Sequence, residues 1–290
     1  MKYIVLEEEN QNIVQGNMDI KQAFIYSYHH HNLFDLEEIM SLANASKEDV
    51  IQELKPVLIK DPYNQEYTYI FDYYGTLLDS FNDERSAQYW KKWLRVLDKK
   101  RIKHPDYITF RKEFFEGDRK YRKIIIEKKG YTYPEIDIIN VYRDLFERYG
   151  NGILDDALLN ELAYDFREAT RAYIKLFPGV EDYLKKLRYE GKKLYILSNA
   201  QRSYTWPEIT MFGMEKLVDD VFISSDVEAM KPEKAFYDAL FQAHNIDKAT
   251  AVMIGDSLTS DIAGAIGYGI DYIHLTGDNS AETFYLKELA

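Results

Sequence analysis

Three short runs of aliphatic and aromatic residues occur along this chain, and a polar side chain follows each run within two residues. The runs are Tyr67–Ile70, Leu194–Leu197 and Ala251–Ile254. Apolar runs of this length, rich in β-branched and aromatic residues, predict buried strands. Open α/β sheets keep their active sites at the carboxyl ends of such strands. The pattern therefore predicts an α/β fold with functional side chains where the runs end.

A different hydrophobic period separates the first run from the second. Over about residues 80–175, apolar residues recur at helical spacing, which predicts amphipathic helices. The clearest segments are Ala87–Leu97, Ile136–Phe146 and Asp156–Ala163. We therefore expect a helical region inserted into the α/β core. Its Trp90 and Trp93 are more typical of a hydrophobic core than of a ligand platform.

Residues 1–65 predict a separate, small helical module. Helical patterns begin at Asp19, at Asp35 and at Ser46, with Asp35 and Ser46 as N-caps. An apolar stretch and a proline turn follow, which is compatible with a winged-helix-like unit. The module has 5 Lys and Arg against 11 Asp and Glu, so nucleic-acid binding is not expected, because it depends on neutralising phosphates. We expect it to mediate protein contact or dimerisation.

The polar residues near the strand ends have complementary chemistry. They are Asp72, Thr76, Ser198, Asn199, Lys231, Asp256 and Asp261. Asp72 and Asp256 can hold a hard cation, which prefers oxygen ligands. Hydroxyl groups can bind phosphoryl oxygens, and Lys231 can balance the negative charge that collects there. Taken singly, the hydroxyl, amide and lysine side chains would also suit ordinary turns at strand ends.

In order and identity, these segments resemble the haloacid dehalogenase (HAD) superfamily of hydrolases. The resemblance extends from about Tyr67 to about Leu275. It implies a Rossmann-like parallel sheet, the HAD core, formed by residues 66–79 and 176–290. Residues 80–175 then match a C1 cap, a helical domain that closes over the nucleophile and selects the substrate.

The resemblance also implies a role for each matched residue. Asp72 would attack the substrate and become a covalent aspartyl intermediate. Asp72, Asp256 and the backbone carbonyl of Tyr74 would bind Mg²⁺. Asp261 would orient Lys231 or a metal-bound water, and a carboxylate facing a helix N-terminus is an equal alternative for it. The groups expected to contact the phosphoryl or carboxylate part of the substrate are Thr76, Ser198, Asn199 and Lys231.

Tyr74 is the main departure from the family pattern. Phosphatases of the family carry an aspartate at this position as general acid and base, whereas tyrosine, with a reference pKa of about 10, is a poor substitute at neutral pH. Metal-free 2-haloacid dehalogenases do carry a tyrosine, but they lack the carboxylate that Asp256 supplies. Since two close carboxylates repel each other unless a cation lies between them, we favour metal-dependent chemistry.

The sequence thus predicts a Mg²⁺-dependent phosphohydrolase of low intrinsic activity. It would act on a small phosphorylated metabolite through an aspartyl-phosphate intermediate. Two alternatives remain open. One is a metal-free hydrolase similar to the 2-haloacid dehalogenases, and the other is a weakly active or regulatory protein of the superfamily.

Composition and charge limit the chemistry, the location and the substrate charge that we expect. The 290 residues include no cysteine, which excludes disulfides and thiol chemistry. Neither a membrane-length apolar stretch nor a signal-peptide pattern is present, so we expect a cytoplasmic protein. Residues 80–175 have 21 Lys and Arg against 17 Asp and Glu, in a chain of net charge −12. A basic lid favours an anionic substrate, although solvated helix faces of mixed charge are an alternative. Candidate anion contacts are Arg85, Arg101, Arg119 and Arg122.

Overall fold

A five-stranded parallel sheet lies at the centre of the protein. The computed structural model describes residues 67–289, together with residues 19–20, 23, 36–46 and 49. The strands are β1 (Thr68–Phe71), β2 (Leu78–Asn82), β3 (Arg171–Leu176), β4 (Lys193–Ser198), β5 (Asp220–Ile223), β6 (Ala251–Gly255) and β7 (Asp271–His274). The central sheet has the order β5-β4-β1-β6-β7, and β2 pairs separately with β3. The predicted α/β fold is confirmed.

Helices cover both faces of the sheet and also form a separate group. In the described part of the chain, the α-helices are α1 (Leu36–Ala43), α2 (Ala87–Lys99), α3 (Tyr107–Lys129), α4 (Ile138–Arg148), α5 (Asp156–Thr170), α6 (Val180–Tyr189), α7 (Arg202–Met211), α8 (Ser224–Val227), α9 (Lys234–His244), α10 (Ala263–Tyr268) and α11 (Ala281–Leu289). Helices α6 and α11 pack on one face of the sheet, and α9 and α10 pack on the other.

Successive residues of the central strands enter opposite hydrophobic cores. Tyr69 and Phe71 of β1 pack against α6 and α11, whereas Ile70 packs against α9 and α10. A strand that is buried on both faces needs apolar residues at every position. This explains why the run at residues 67–70 is continuous rather than alternating.

Helices α2 to α5 form an insertion between β2 and β3, with an aromatic core of their own. Trp90 and Trp93 are fully buried there. Their ring nitrogens donate to backbone carbonyls, that of Trp90 to Glu84 at 2.8 Å and that of Trp93 to Leu162 at 3.0 Å. A buried indole N–H needs such an acceptor. The tryptophans therefore belong to the core of the insertion, as the sequence suggested.

Aspartate caps begin three of the four helices of the insertion. The side chain of Asp106 accepts backbone N–H bonds at the start of α3, and Asp137 and Asp155 do so for α4 and α5. Each cap satisfies backbone donors that have no partner within the helix. Because Asp137 is the cap, α4 begins at Ile138, two residues later than the hydrophobic pattern suggested.

An antiparallel ribbon of β2 and β3 connects the insertion to the sheet. Leu78 pairs with Leu176 at one end of the ribbon, and Asn82 pairs with Arg171 at the other. A bulge interrupts the register between Phe81 and Asn82. Both chain connections to the insertion therefore pass through a single ribbon.

Most of the predicted N-terminal module lies outside the described residues. Within the described part, α1 coincides with the helix expected after position 35, and the backbone N–H of Asp49 donates to Oγ of Ser46 at 3.1 Å, as expected of an N-cap. The winged-helix-like interpretation and the docking or dimerisation role stay predictions. Among the described residues, no helix is both long enough and apolar enough to cross a bilayer.

Candidate active site

The sheet order brings the carboxyl ends of three strands together. β1 lies between β4 and β6, and Phe71 is in register with Ile196 and Ile254. Asp72 follows Phe71 and so leaves the sheet between the ends of both neighbouring strands. Its backbone N–H donates to the carbonyl of Ile254 at 2.9 Å, and its side chain is buried. The carboxylate is thus held where the sequence predicted it.

A fully buried ammonium group, that of Lys231, joins these strand ends. Its Nζ lies 2.7 Å from Oδ1 of Asp72 and 2.7 Å from Oδ1 of Asp261, and it donates to the carbonyl of Leu197 at 2.5 Å. Burial would lower the pKa of this ammonium, but the two carboxylates, Asp261 foremost, outweigh burial and raise that pKa. Lys231 therefore stays charged at neutral pH.

Asn199 fixes the backbone at Lys231. Its Oδ1 accepts from the backbone N–H of Lys231 at 2.7 Å, and its Nδ2 donates to the carbonyl of the same residue at 3.0 Å. This reciprocal pair sets the position from which the ammonium reaches the strand ends. A direct contact between Asn199 and a substrate stays a prediction.

Three carboxylates form an acidic cluster beside the ammonium. Asp72, Asp256 and Asp261 each offer an oxygen within 4.8 Å of the others. Burial raises the pKa of the Asp72 carboxyl, the neighbouring carboxylates add to this rise, and Lys231 opposes it. Three carboxylates against one ammonium leave an excess of negative charge, which a divalent cation would neutralise. The oxygen-rich set therefore fits Mg²⁺.

Asp261 makes both kinds of contact that the sequence left open. Besides its ion pair with Lys231, its Oδ2 accepts the backbone N–H of Ser257 at 3.0 Å, where a short π-helix, Leu258–Ile262, begins. Its Oδ1 also accepts from Oγ of Ser260 at 3.3 Å. The carboxylate is thereby locked in one orientation, which in turn fixes the ammonium.

Two glycines let the cluster approach the backbone closely. A Cβ atom at Gly75, whose φ is +79°, would lie 2.4 Å from Oδ2 of Asp256. A Cβ atom at Gly255 would lie 2.3 Å from Oδ2 of Asp261. Any side chain at either position would push a carboxylate away.

The two predicted hydroxyl groups lie in different surroundings. Oγ1 of Thr76 donates to Oδ1 of Asp256 at 3.3 Å. Oγ of Ser198 is buried and has no hydrogen-bond partner among the described residues. An unpaired buried hydroxyl costs free energy, and such groups call for a functional explanation. A contact between the Ser198 hydroxyl and a bound ligand stays a prediction.

The Tyr74 side chain takes part in a hydrogen-bond network. Its hydroxyl donates to Oε2 of Glu208 at 2.5 Å and lies 3.0 Å from Oγ1 of Thr205. The guanidinium of Arg167 lies over its ring, 5.0 Å from the centroid. Burial raises the pKa of the phenol, Arg167 opposes this rise and Glu208 adds to it. Tyr74 is therefore unable to act as a base near neutral pH.

Glu208 is the centre of this network, and sequence reasoning missed it. The carboxylate is completely buried and accepts from Arg167 at 2.9 and 3.3 Å and from Arg171 at 3.3 Å. It therefore connects the loop after β1 to the end of the insertion. The only signal in the sequence is an isolated acidic residue in a helix with no other charge after Arg202.

A cleft of about 670 Å³ lies between the insertion and the sheet. Tyr74 and Asn199 line it on the side of the sheet. Of the four arginines predicted as anion contacts, Arg122 lines the cleft, but it donates to Asp118, to Glu135 and to a backbone carbonyl. Arg85, Arg101 and Arg119 are exposed and lie outside the lining. Of the four predicted anion contacts, only Arg122 therefore lies at this cleft.

A protein-family comparison matches most of the α/β core and the insertion. Residues 68–269 match the model described as haloacid dehalogenase-like hydrolase. Two curated relatives are phosphatases. The chain is 31% identical over 99 residues to a glyceraldehyde 3-phosphate phosphatase of Pyrococcus abyssi, covering 34% of the chain and 42% of that enzyme. It is 28% identical over 168 residues to the pyrimidine 5'-nucleotidase YjjG of Escherichia coli, covering 57% of the chain and 72% of that enzyme.

A solved structure shares the same fold. The 2-haloacid dehalogenase of Pseudomonas syringae aligns with a TM-score of 0.52 and 18% identity, over 77% of this chain and 99% of that one. Likeness at this level of identity concerns the fold alone. The matched stretch spans less than half of the archaeal phosphatase. The substrates named for the two relatives are properties of those proteins.

Proposed function

This chain belongs to the haloacid dehalogenase-like hydrolase family, and from that premise we propose that it is a Mg²⁺-dependent phosphatase. It would hydrolyse a small phosphorylated metabolite through an aspartyl-phosphate intermediate. The observation that supports the proposal most is the buried Asp72 carboxylate, 2.7 Å from Nζ of Lys231 and in the same cluster as Asp256. This arrangement combines a nucleophile, a fixed cation and a set of metal ligands.

Each residue has a defined task in this proposal. Asp72 attacks phosphorus, the bond to the leaving group breaks, and water then attacks the same phosphorus and frees the carboxylate. Lys231 and the Ser198 hydroxyl bind phosphoryl oxygens. Asp72, Asp256 and the backbone carbonyl of Tyr74 would hold Mg²⁺. When bound, the ion would neutralise charge on the phosphoryl group and between the carboxylates.

The proton of the leaving group is the weak point of this chemistry. The Tyr74 hydroxyl is directed to Glu208, and its pKa is raised by burial. A proton donor is typically worth about 10²–10⁴-fold in rate. We therefore propose that turnover is slow for alkyl phosphates, and that acyl and aryl phosphates, whose leaving groups are already acidic, react faster.

Mg²⁺ is expected to control both activity and stability. Without it, phosphate release from p-nitrophenyl phosphate should fall by at least about 100-fold. Mg²⁺ should also raise the melting temperature, because a ligand of the folded state stabilises that state. Malachite-green phosphate assays and thermal melts, with EDTA and with excess Mg²⁺, measure the two effects. Full activity in EDTA, or no phosphate release from any ester, would reject the proposal.

The exchange Tyr74→Asp tests whether a missing proton donor limits the rate. We expect faster hydrolysis of an alkyl phosphate, by roughly 10²-fold, and little change with acetyl phosphate. The matched control is Tyr74→Phe, which also loses the hydrogen bond to Glu208 but gains no acid. An equal rate for both variants would show that proton transfer does not limit turnover. A large gain in Tyr74→Asp from a nearly inactive wild type would instead favour the weakly active or regulatory alternative.

Tyr74 also supports a second candidate, a metal-free 2-haloacid dehalogenase-like hydrolase. Asp256 counts against it. A second carboxylate beside the nucleophile raises the pKa of one of the two carboxyl groups, and without a bound cation it does not assist the reaction. Halide release from 2-chloropropionate in EDTA separates the two chemistries. Release of chloride, without phosphate release from any ester, would establish this second candidate.

A further inference from the structure

The cleft between the insertion and the sheet is where a leaving group would lie. Tyr74, two residues after the nucleophile, lines it, as does Asn199, which fixes Lys231. In the proposed reaction, an ester bound for attack by Asp72 would place its organic substituent in this volume of about 670 Å³. The side chains that line the cleft determine which substituents can be accommodated.

The positive charges of the cleft are already neutralised. Arg122 donates to Asp118 at 3.1 Å and to Glu135 at 2.8 Å. Arg167 donates to Glu208 at 2.9 and 3.3 Å. Among the residues that line the cleft, these two arginines are the only basic ones. An anionic substituent would therefore have to displace a carboxylate from one of these two arginines before it could pair with the guanidinium.

One carboxylate of the cleft, that of Glu84, has no such partner. Within residues 67–289 its side chain makes no hydrogen bond and no ion pair, although it is half-buried and lines the cleft. Its backbone is nevertheless fixed, because its carbonyl accepts from Nε1 of Trp90 at 2.8 Å. Next to it, Oδ1 of Asp83 accepts the backbone N–H groups of Arg85 and Ser86 at 3.1 and 3.0 Å. The backbone that carries this carboxylate is thus held in place, and within residues 67–289 the carboxylate has no protein partner.

Aromatic side chains surround the same space. They are Phe81, Phe114, Phe115 and Tyr204. Aromatic faces attract cations and N–H donors and do not favour anions. Burial raises the pKa of the Glu84 carboxyl, and the charge of Arg167 opposes that rise. A donor from the ligand would satisfy the carboxylate, and a negative group would meet repulsion.

We propose that Glu84 and the aromatic side chains beside it select a leaving group that carries N–H or O–H donors and no negative charge. The substrate class is a phosphate monoester of an amino alcohol or of a polyhydroxy compound, and not of a hydroxy acid. This inference rests on the proposed phosphatase function, whose site it completes. Glu84 is a specificity-determining residue and takes no part in bond breaking.

Two phosphate esters of nearly equal size test the selectivity. Phosphoethanolamine carries an ammonium where phosphoglycolate carries a carboxylate. We expect phosphoethanolamine to inhibit the wild-type hydrolysis of p-nitrophenyl phosphate at a concentration at least roughly tenfold lower than phosphoglycolate does. A charge-assisted hydrogen bond to Glu84 implies a difference of this size. Titration calorimetry on the Asp72→Asn variant with Mg²⁺ measures the same preference without turnover. Ethylene glycol monophosphate separates the contribution of an O–H donor from that of an ammonium.

The variant Glu84→Gln should lose the preference for phosphoethanolamine over phosphoglycolate. The control Glu127→Gln, at an exposed position, should retain that preference. Tighter binding of phosphoglycolate to the wild type, or an unchanged preference in Glu84→Gln, would overturn the inference. The two proposals can fail separately. A preference for donors in calorimetry with no phosphate release by the wild type leaves the specificity standing and rejects the phosphatase. Phosphate release by the wild type without a preference for donor groups would support the phosphatase and reject the specificity.

Discussion

Replacing Asp72 by asparagine is expected to lower phosphate release by on the order of 10⁴-fold or more, which is the scale observed when a catalytic nucleophile is removed. An amide has nearly the shape of the carboxylate but cannot attack phosphorus. Lys231 keeps its ion pair with Asp261 and its bond to the carbonyl of Leu197, so the site should stay assembled. Single-turnover assays with saturating Mg²⁺ and p-nitrophenyl phosphate give the rate.

A surface aspartate provides the control for this exchange. Asp79 accepts from the hydroxyl of Tyr173 and pairs with Lys175 on the ribbon, outside the acidic cluster. The variant Asp79→Asn should keep its activity, and both variants should melt within a few degrees of the wild type. If Asp72→Asn retained more than a few per cent of the activity, another group would have to be the nucleophile.

The exchange Glu208→Ala is expected to destabilise the protein by about 3–5 kcal/mol, as the loss of one partner of a buried ion pair typically does. Arg167 would remain buried without its carboxylate, and the hydroxyl of Tyr74 would lose its acceptor. For a protein of this size we expect the melting temperature to fall by roughly 10 °C. Urea unfolding and thermal melts measure the effect.

The control for this exchange removes an exposed carboxylate from the same network. Glu168 pairs with Arg171 at 3.2 Å, and half of its side chain is exposed. Since exposed ion pairs contribute about 0–1 kcal/mol, Glu168→Ala should change stability little. Equal losses in both variants would show that burial of Glu208 does not determine its contribution.

The central strands could be predicted because burial on both faces leaves an uninterrupted apolar run. The run at residues 67–70 differs by one residue at each end from β1, and the run at residues 251–254 nearly coincides with β6. The sequence does not predict β5 and β7, since each has four residues and begins with an aspartate. Such strands are recognisable only from the neighbours that they pair with.

Two members of the acidic cluster, Asp72 and Asp256, could be predicted to meet because each comes directly after a strand. Parallel strands end at the same edge of a sheet, so their final side chains converge whatever the connecting segments do. The 2.7 Å ion pair between Asp261 and Lys231 was instead expected from the family resemblance, since neither residue directly follows a strand. The cleft was harder to predict. Arg122 is one of several basic residues in the sequence, and only the fold reveals that carboxylates surround it.

The network around Glu208 could not be predicted, because it depends on residues from three distant segments. Tyr74, Arg167 and Glu208 lie far apart in the chain, and neither Arg167 nor Glu208 belongs to a spacing that marks a motif. A buried carboxylate is tolerated only when several donors surround it, and donors from separate elements cannot be inferred from one sequence. For the same reason, the sequence could not predict that the Tyr74 hydroxyl donates a hydrogen bond to Glu208.

The paired strands β2 and β3 have a consequence for motion. Because the two strands are hydrogen-bonded to each other between Leu78 and Arg171, we expect them to bend together, so that the helices beyond them would rotate about one axis. The bulge at Phe81 and Asn82 is the natural place for that axis. The same rotation would then admit the substrate and release the product. An ester too long for the cleft would prevent the insertion from closing against the sheet.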